Sequence, residues 1–170
     1  MNTQNLTRIH FLVMDVDGTL TDGKIYMGND GEVFKAFNIK DGCGIYRILP
    51  KLGIIPVIIT GRRSDMVKMR MEELAVSEIY QGESDKLGCL NKILEKYSVL
   101  DSKKYSLKNT AYIGDDIIDL DCMRAIAQSG GITAAPADAV DEVKEISDYI
   151  CSKKGGDGAV REFIDFLAKS

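Results

Sequence analysis

The sequence predicts an α/β fold: a Rossmann-like parallel sheet with helices on both faces and a β-hairpin inserted after the first strand. Three observations lead there. Short β-branched runs alternate with helical patterns along the chain, carboxylate clusters follow two of the apolar runs, and residues 23–37 break the rhythm with a strand–turn–strand pattern. Alternation of this kind builds a parallel sheet covered on both sides, with right-handed crossovers.

The elements follow in order. Phe11 to Val16 reads as a buried first strand, with His10 at its entry. Lys24–Met27 and Glu32–Phe37 flank a Gly28-Asn29-Asp30-Gly31 turn, which is a hairpin signal. The hairpin's apolar residues Ile25, Tyr26, Val33, Phe34 and Phe37 exceed what a solvated flap needs, so it packs either on its own domain or on another subunit, the second being favoured. Asp41 to Leu52 is helical, with Ile45, Ile48 and Leu49 as its stripe. Ile54 to Thr60 is the next sheet strand. Ser64 can cap a helix carrying Val67, Met71 and Leu74, and Ser84 one carrying Leu87, Leu90, Leu94 and Tyr97. The former is followed by a strand at Ile79-Tyr80. Ser98 to Lys108 reads as a polar surface connection. Thr110–Gly114, Gly131–Ala134 and Tyr149-Ile150 complete the strands. The C-terminal tail, residues 153–170, starts as a flexible glycine-rich stretch through Gly158 and ends in a helix from Ala159 to Ala168.

With 170 residues, the chain suits one domain, residues 1–170, with a sizeable core. A net charge of −4 without any basic block argues against nucleic acid as a partner. No apolar run is long enough to span a membrane, and Met1-Asn2-Thr3-Gln4-Asn5 lacks the regions of a signal peptide. Cys43, Cys89, Cys122 and Cys151 form no CxxC pair, which fits free thiols in a reducing cytoplasm. The single histidine makes histidine-dependent triads hard to build.

Chemistry gathers where the strands end. Asp15-Val16-Asp17-Gly18-Thr19 follows the first strand, and Gly114-Asp115-Asp116-Ile117-Ile118-Asp119 follows a later one. Open α/β sheets place ligands at the carboxyl ends of their strands. So many acids together repel unless a cation sits among them, and a hard divalent ion held by oxygens, typically Mg²⁺, usually works on phosphate. One carboxylate can then attack phosphorus while a second handles the proton. Phosphate-monoester hydrolysis can demand acceleration of up to about 10²¹-fold. General acid–base help supplies only about 10²–10⁴, so positioning, covalent capture and charge neutralisation carry the rest. Thr60 and neighbouring amides such as that of Gly61 could hold phosphate oxygens. Lys86 at a helix start opposes the helix dipole and implies a compensating anion.

Asp15-x-Asp17-Gly18-Thr19, Thr60-Gly61-Arg62, Lys86 and Gly114-Asp115-Asp116-x-x-Asp119 resemble, in order and spacing, the four motifs of the haloacid-dehalogenase-like (HAD) phosphatase superfamily. Lacking a large insertion, the chain is similar to its capless members, which implies a HAD-like core without a cap domain. Leu20-Thr21-Asp22-Gly23, Lys40-Asp41-Gly42-x-Gly44, Tyr80-Gln81-Gly82-x-x-x-Lys86 and Gly155-Gly156-x-Gly158-Ala159-Val160-Arg161-Glu162 further resemble the 3-deoxy-D-manno-octulosonate (KDO) 8-phosphate phosphatase family of lipopolysaccharide biosynthesis. The resemblance implies Asp15 as nucleophile and Mg²⁺ ligand, Asp17 as general acid/base with its carbonyl on the metal, and Asp115 as a further ligand. It implies Thr60, Gly61 and Lys86 as the phosphate cradle, Asp116 and Asp119 as supporting residues, and Arg62 and Arg161 as substrate contacts. It also implies a cytoplasmic homotetramer whose hairpin builds the interface, and a lid formed by residues 155–161. The substrate would be a small sugar-acid phosphate.

One departure is the stretch Ala134-Ala135-Pro136-Ala137-Asp138-Ala139, whose proline is similar to nonulosonate (sialic-acid-type) 9-phosphate phosphatases, whereas Arg62 after Thr60-Gly61 tips towards the eight-carbon acid. A phospho-accepting receiver domain shares acid pair, threonine and lysine, but in another order and without a use for Asp17. A sugar phosphomutase would need a cap to hold its intermediate.

Overall fold

The computed structural model describes residues 9–169. The terminal stretch Met1–Asn5 and Ser170 lie outside the described residues. β1 (Phe11–Met14) is followed by the hairpin strands β2 (Tyr26–Gly28) and β3 (Gly31–Phe34), then by a helical run of α1 (Ile39–Cys43), one π-helical turn (Gly44–Ile48) and α2 (Leu49–Leu52). β4 (Ile55–Thr60), α3 (Asp65–Glu73), β5 (Glu78–Gln81), α4 (Lys86–Leu100), β6 (Thr110–Ile113), α5 (Leu120–Gln128), β7 (Ile132–Ala135), α6 (Asp141–Ile146), β8 (Tyr149–Ile150) and α7 (Ala159–Lys169) follow. Six strands form one parallel sheet in the order β5-β4-β1-β6-β7-β8, and β2 and β3 pair antiparallel by themselves.

β1 shows why both faces are covered. Its side chains alternate. Leu12 and Met14 pack with Ile45, Leu49, Val67, Met71 and the α7 residues Val160, Phe163 and Ile164. Phe11 and Val13 pack with Leu90 and Ile93 of α4, Met123 and Ile126 of α5 and Val143 of α6. Strand order reverses at β1, whose neighbours are β4 and β6, so a crevice opens at the carboxyl ends of these three strands.

The expected elements are present, with local differences. Asp85, not Ser84, caps α4, because its carboxylate accepts from the Gly88 amide at 2.8 Å. Ser64 occupies the N-cap position of α3 but makes no side-chain capping bond. The polar stretch from Ser98 begins inside α4, where the Ser98 hydroxyl donates to the Leu94 carbonyl at 2.6 Å. The hairpin stays off the main sheet: Tyr26 stacks on Phe34 at 4.2 Å, while Ile25, Met27, Val33 and Phe34 are exposed. Phe37 alone among its expected apolar residues reaches the core. Among the described residues, no helix is long and apolar enough to cross a membrane.

The glycine-rich stretch before α7 is not loose. The Gly156 amide donates to the Thr19 carbonyl at 3.1 Å, and the Gly155 amide to Asp138 Oδ1 at 2.9 Å. The next turn is tied by Asp41, whose Oδ1 accepts from the Arg161 amide at 2.7 Å. A Cβ on Gly155 would lie 1.8 Å from the Gly18 carbonyl oxygen. Glycine is required there for close approach of two backbones, not for flexibility. Gly155→Ala should therefore destabilise the protein by about 2 kcal/mol, as overpacking does. Thermal melting is expected to fall by about 4–8 °C at this chain length, and an unchanged melting temperature would show that the contact is not maintained.

Candidate active site

The crevice gathers residues that are distant in sequence. Asp15 and Asp17 leave β1, Thr60 ends β4, and Asp115 and Asp116 follow β6; all line one cleft with Gly61, Arg62, Gly23, Ile25 and Ile118. Gly18 shapes the first loop. It takes a φ of +97°, and a Cβ there would lie 2.0 Å from Asp115 Oδ2, so only glycine lets the β1 loop and the Asp115 carboxylate meet.

Lys86, the first residue of α4, lies beneath the acids. Its Nζ donates to Asp15 Oδ1 and to Asp119 Oδ1, each at 2.7 Å, and all three side chains are buried. Burial pulls the Lys86 pKa down, but the charges of Asp15 and Asp119 more than offset it, and the net shift is upward. Asp119 is saturated. It also accepts from the Tyr112 hydroxyl at 2.6 Å and from the amides of Asp115 and Asp116. It thus holds Lys86 and the β6 loop, while Asp116 is exposed and caps the short turn that follows.

Asp15, Asp115 and Asp119 each offer an oxygen within 4.8 Å of the others. Burial and the negative charge of Asp119 push Asp15 up to about 6 despite Lys86. Burial together with the charges of Asp15 and Asp119 pushes Asp115 up to about 8, against a hydrogen bond from the Thr19 hydroxyl at 3.0 Å. The cluster is therefore short of positive charge, and its donors are all hard oxygens. That is the donor set a small divalent cation such as Mg²⁺ takes. Since Asp119 is occupied by Lys86, Tyr112 and two amides, Asp15 and Asp115 are the carboxylates left to bind one.

Of the residues expected from the sequence, Asp15, Asp17, Thr60, Gly61, Arg62, Asp115 and Asp116 share the cleft, with Lys86 and Asp119 directly behind Asp15. Arg161 does not join them in this chain. Its amide is bound by Asp41 and its guanidinium by Asp165 at 2.9 Å, and it faces a separate cleft with Lys40, Tyr149 and Asp157. The expected lid over residues 155–161 is, within this chain, a turn seated on the β1 loop. Two residues were not anticipated. Lys35 forms an ion pair with Asp17 Oδ1 and lies 3.0 Å from Glu32 Oε1, and Arg62 Nη2 donates to that same Glu32 oxygen at 3.4 Å. Their only sequence signal is an acid and a lysine three residues apart in the hairpin.

No family model matches the chain. The 3-deoxy-D-manno-octulosonate 8-phosphate phosphatase KdsC of Escherichia coli K12 is 43% identical over 159 residues, which cover 94% of this chain and 79% of that protein. A crystal structure of 3-deoxy-D-manno-octulosonate 8-phosphate phosphatase from Moraxella catarrhalis, in complex with magnesium, phosphate and KDO, superposes with a TM-score of 0.87 at 40% identity, covering 98% of this chain and 89% of that one. The cobalt-bound deoxy-D-mannose-octulosonate 8-phosphate phosphatase of Haemophilus influenzae superposes with a TM-score of 0.87 at 33% identity, covering 98% of this chain and 91% of that one. Likeness at this level, along nearly the whole chain, makes it a member of the 3-deoxy-D-manno-octulosonate 8-phosphate phosphatase family of HAD-superfamily hydrolases.

Proposed function

We propose that this chain hydrolyses 3-deoxy-D-manno-octulosonate 8-phosphate to the free sugar acid and phosphate, with Mg²⁺ as cofactor, as a cytoplasmic enzyme serving lipopolysaccharide assembly. The observation that carries the reading is the meeting of Asp15, Asp115 and Lys86 at one strand-end cleft. Asp15, Asp115 and the Asp17 backbone carbonyl would hold the cation. Bound there, it supplies positive charge to the phosphoryl oxygens and relieves the repulsion between the two carboxylates.

A carboxylate oxygen of Asp15 attacks phosphorus, the ester P–O bond breaks, and the departing sugar oxygen takes a proton from Asp17. A water then returns a proton to Asp17 as its oxygen attacks the aspartyl-phosphate, and the bond to Asp15 breaks to release phosphate. Thr60, the Gly61 amide and Lys86 hold the phosphoryl oxygens, while Asp116 and Asp119 support the site. Arg62, at the cleft edge, contacts the sugar acid's carboxylate. Asp17, two residues beyond Asp15, suits rapid turnover of the phosphoenzyme, which favours hydrolysis over a receiver's long-lived phospho-switch. The exposed apolar faces of Ile25, Met27, Val33 and Phe34 support a homotetramer closed through the hairpin. Within it, Arg161 would reach substrate only if it served a neighbour's site. The four free cysteines fit a reducing compartment.

A nonulosonate 9-phosphate is the second reading, carried by Pro136. Asp138, in the same stretch, binds the Gly155 amide, so this region faces the C-terminal turn and has little bearing on the choice of sugar. Side-by-side turnover of the eight- and nine-carbon keto-acid phosphates is expected to favour the eight-carbon ester in kcat/KM; the opposite preference transfers the assignment to the nonulosonate.

Phosphate release from the octulosonate ester should stop in EDTA and return with Mg²⁺. Asp15→Ala should reduce kcat by at least about 10⁴-fold. Activity surviving either treatment rejects the mechanism.

Without metal, the raised pKa values of Asp15 (about 6) and Asp115 (about 8) against a reference of 3.8 mean that the folded protein binds more protons than the unfolded chain between these values. Their contribution is fully present below about pH 4 and is lost as pH rises through about 8. In EDTA, the melting temperature is expected to fall between pH 5 and pH 8. Saturating Mg²⁺, which binds the ionised acids of the folded state, should shrink that fall. Identical pH profiles with and without the ion would remove Asp15 and Asp115 as its ligands.

A further inference from the structure

We propose that Lys35 is a positioning residue for Asp17, fixing which carboxylate oxygen carries the transferred proton; the inference rests on the phosphatase reading above and deepens it. Lys35 leaves the end of β3, in a hairpin whose neighbouring side chains are largely exposed, yet its own side chain is only 1% exposed. Its ammonium is enclosed by two carboxylates, Asp17 Oδ1 and Glu32 Oε1. Glu32 also accepts from Arg62, so an alternating chain Asp17–Lys35–Glu32–Arg62 runs along the cleft edge. Surface pairing does not account for this arrangement. Lys24, in the same hairpin, pairs with Asp22 while 72% exposed, as a solvated lysine ordinarily does.

The consequence is geometric. An ammonium has donors and no acceptor, so it can donate to Asp17 Oδ1 whether the acid is ionised or protonated. The carbonyl oxygen of a protonated carboxyl is its better acceptor, so this bond favours the acidic proton on Oδ2. A carboxyl held through one oxygen presents its proton in one preferred direction, towards the departing sugar oxygen. Such pre-orientation matters most when the leaving group is a poor one and needs protonation as the P–O bond breaks.

The test compares leaving groups. Lys35→Met should lower kcat/KM for octulosonate 8-phosphate, an alkyl ester, about 100-fold, within the range of general acid help. It should lower kcat/KM for p-nitrophenyl phosphate, whose leaving group departs without a proton, less than about 10-fold. Lys35→Arg, which keeps a charged donor, should recover most of the difference. If Lys35→Met does not fold, Lys35→Gln is read by the same ratio. Equal losses on the two esters, or no loss on either, overturn the proposal, since a merely structural lysine would move both alike.

Wild-type turnover of the octulosonate ester tests the phosphatase reading separately. If only that ester is refused, glycerol 3-phosphate takes its place in the ratio, and Lys35 is judged independently of the sugar. A wild type inactive on every phosphate ester removes both.

Discussion

The buried cation of Lys86 is the constraint on which the site depends. Two carboxylates, Asp15 and Asp119, share it at 2.7 Å, and burying charges in so dry a place is costly unless they are paired in this way. Removing one partner of such a cluster typically costs about 3–5 kcal/mol, because a charge is left behind uncompensated. The same cluster remains short of positive charge, since three carboxylates, Asp15, Asp115 and Asp119, share the single Lys86 ammonium and Asp115 still sits well above the usual carboxylate range. The fold thus compensates part of the acid cluster with a lysine and leaves the remainder for an exchangeable cation. That division separates what holds the loops in place from what takes part in chemistry.

The sheet order makes the cluster possible. Only at β1 do neighbouring strands run to opposite sides in the order, and only there does the crevice lie between three loop sets that carry acids, threonine and arginine. Both faces of β1 are fully buried, so its end is among the more rigid points available. The loop beyond it is clasped twice. Asp115 fills the space left by the missing Gly18 side chain, and the Gly155–Gly156 backbone supports the loop from the other side. The C-terminal turn is therefore part of the scaffold of the nucleophile loop within one chain.

Much of this was legible in the sequence. Apolar runs marked all six sheet strands, and the Asn29-Asp30 pair marked the hairpin. The acids stood directly after runs whose direction was predictable from alternation alone. What escaped had a physical reason. Ser84 and Asp85 are both good caps, and only the local backbone decides that the Asp85 carboxylate meets the Gly88 amide. The glycines near residue 155 signal freedom or close approach equally well, and a contact with residue 18 lies too far along the chain to be read from composition. Lys35 and Glu32 were hidden by their apolar neighbours, which made the hairpin look like an interface element only. Arg161 is singled out only by its place in a motif, and in this chain its amide is held by Asp41 and its guanidinium by Asp165.

The hairpin carries two kinds of surface, and magnitudes separate their roles. Exposed ion pairs contribute about 0–1 kcal/mol, and buried ones often break even against an apolar replacement of similar shape. The chain from Asp17 through Lys35 and Glu32 to Arg62 is thus a poor source of stability. Its buried members are nevertheless costly to leave unpaired, so they fix distances and orientations. The side chains of Ile25, Met27, Val33 and Phe34, half or more exposed, are the opposite case. Burying them against another surface stabilises in proportion to area, about 25 cal/mol per Å², but specifies orientation weakly. One short element then joins a non-directional apolar surface, which the proposed tetramer would bury, and a directional charge chain that reaches a carboxyl and an arginine of the cleft. With no cap domain among the described residues, the proposed reading makes the hairpin the element through which assembly and proton transfer would influence each other.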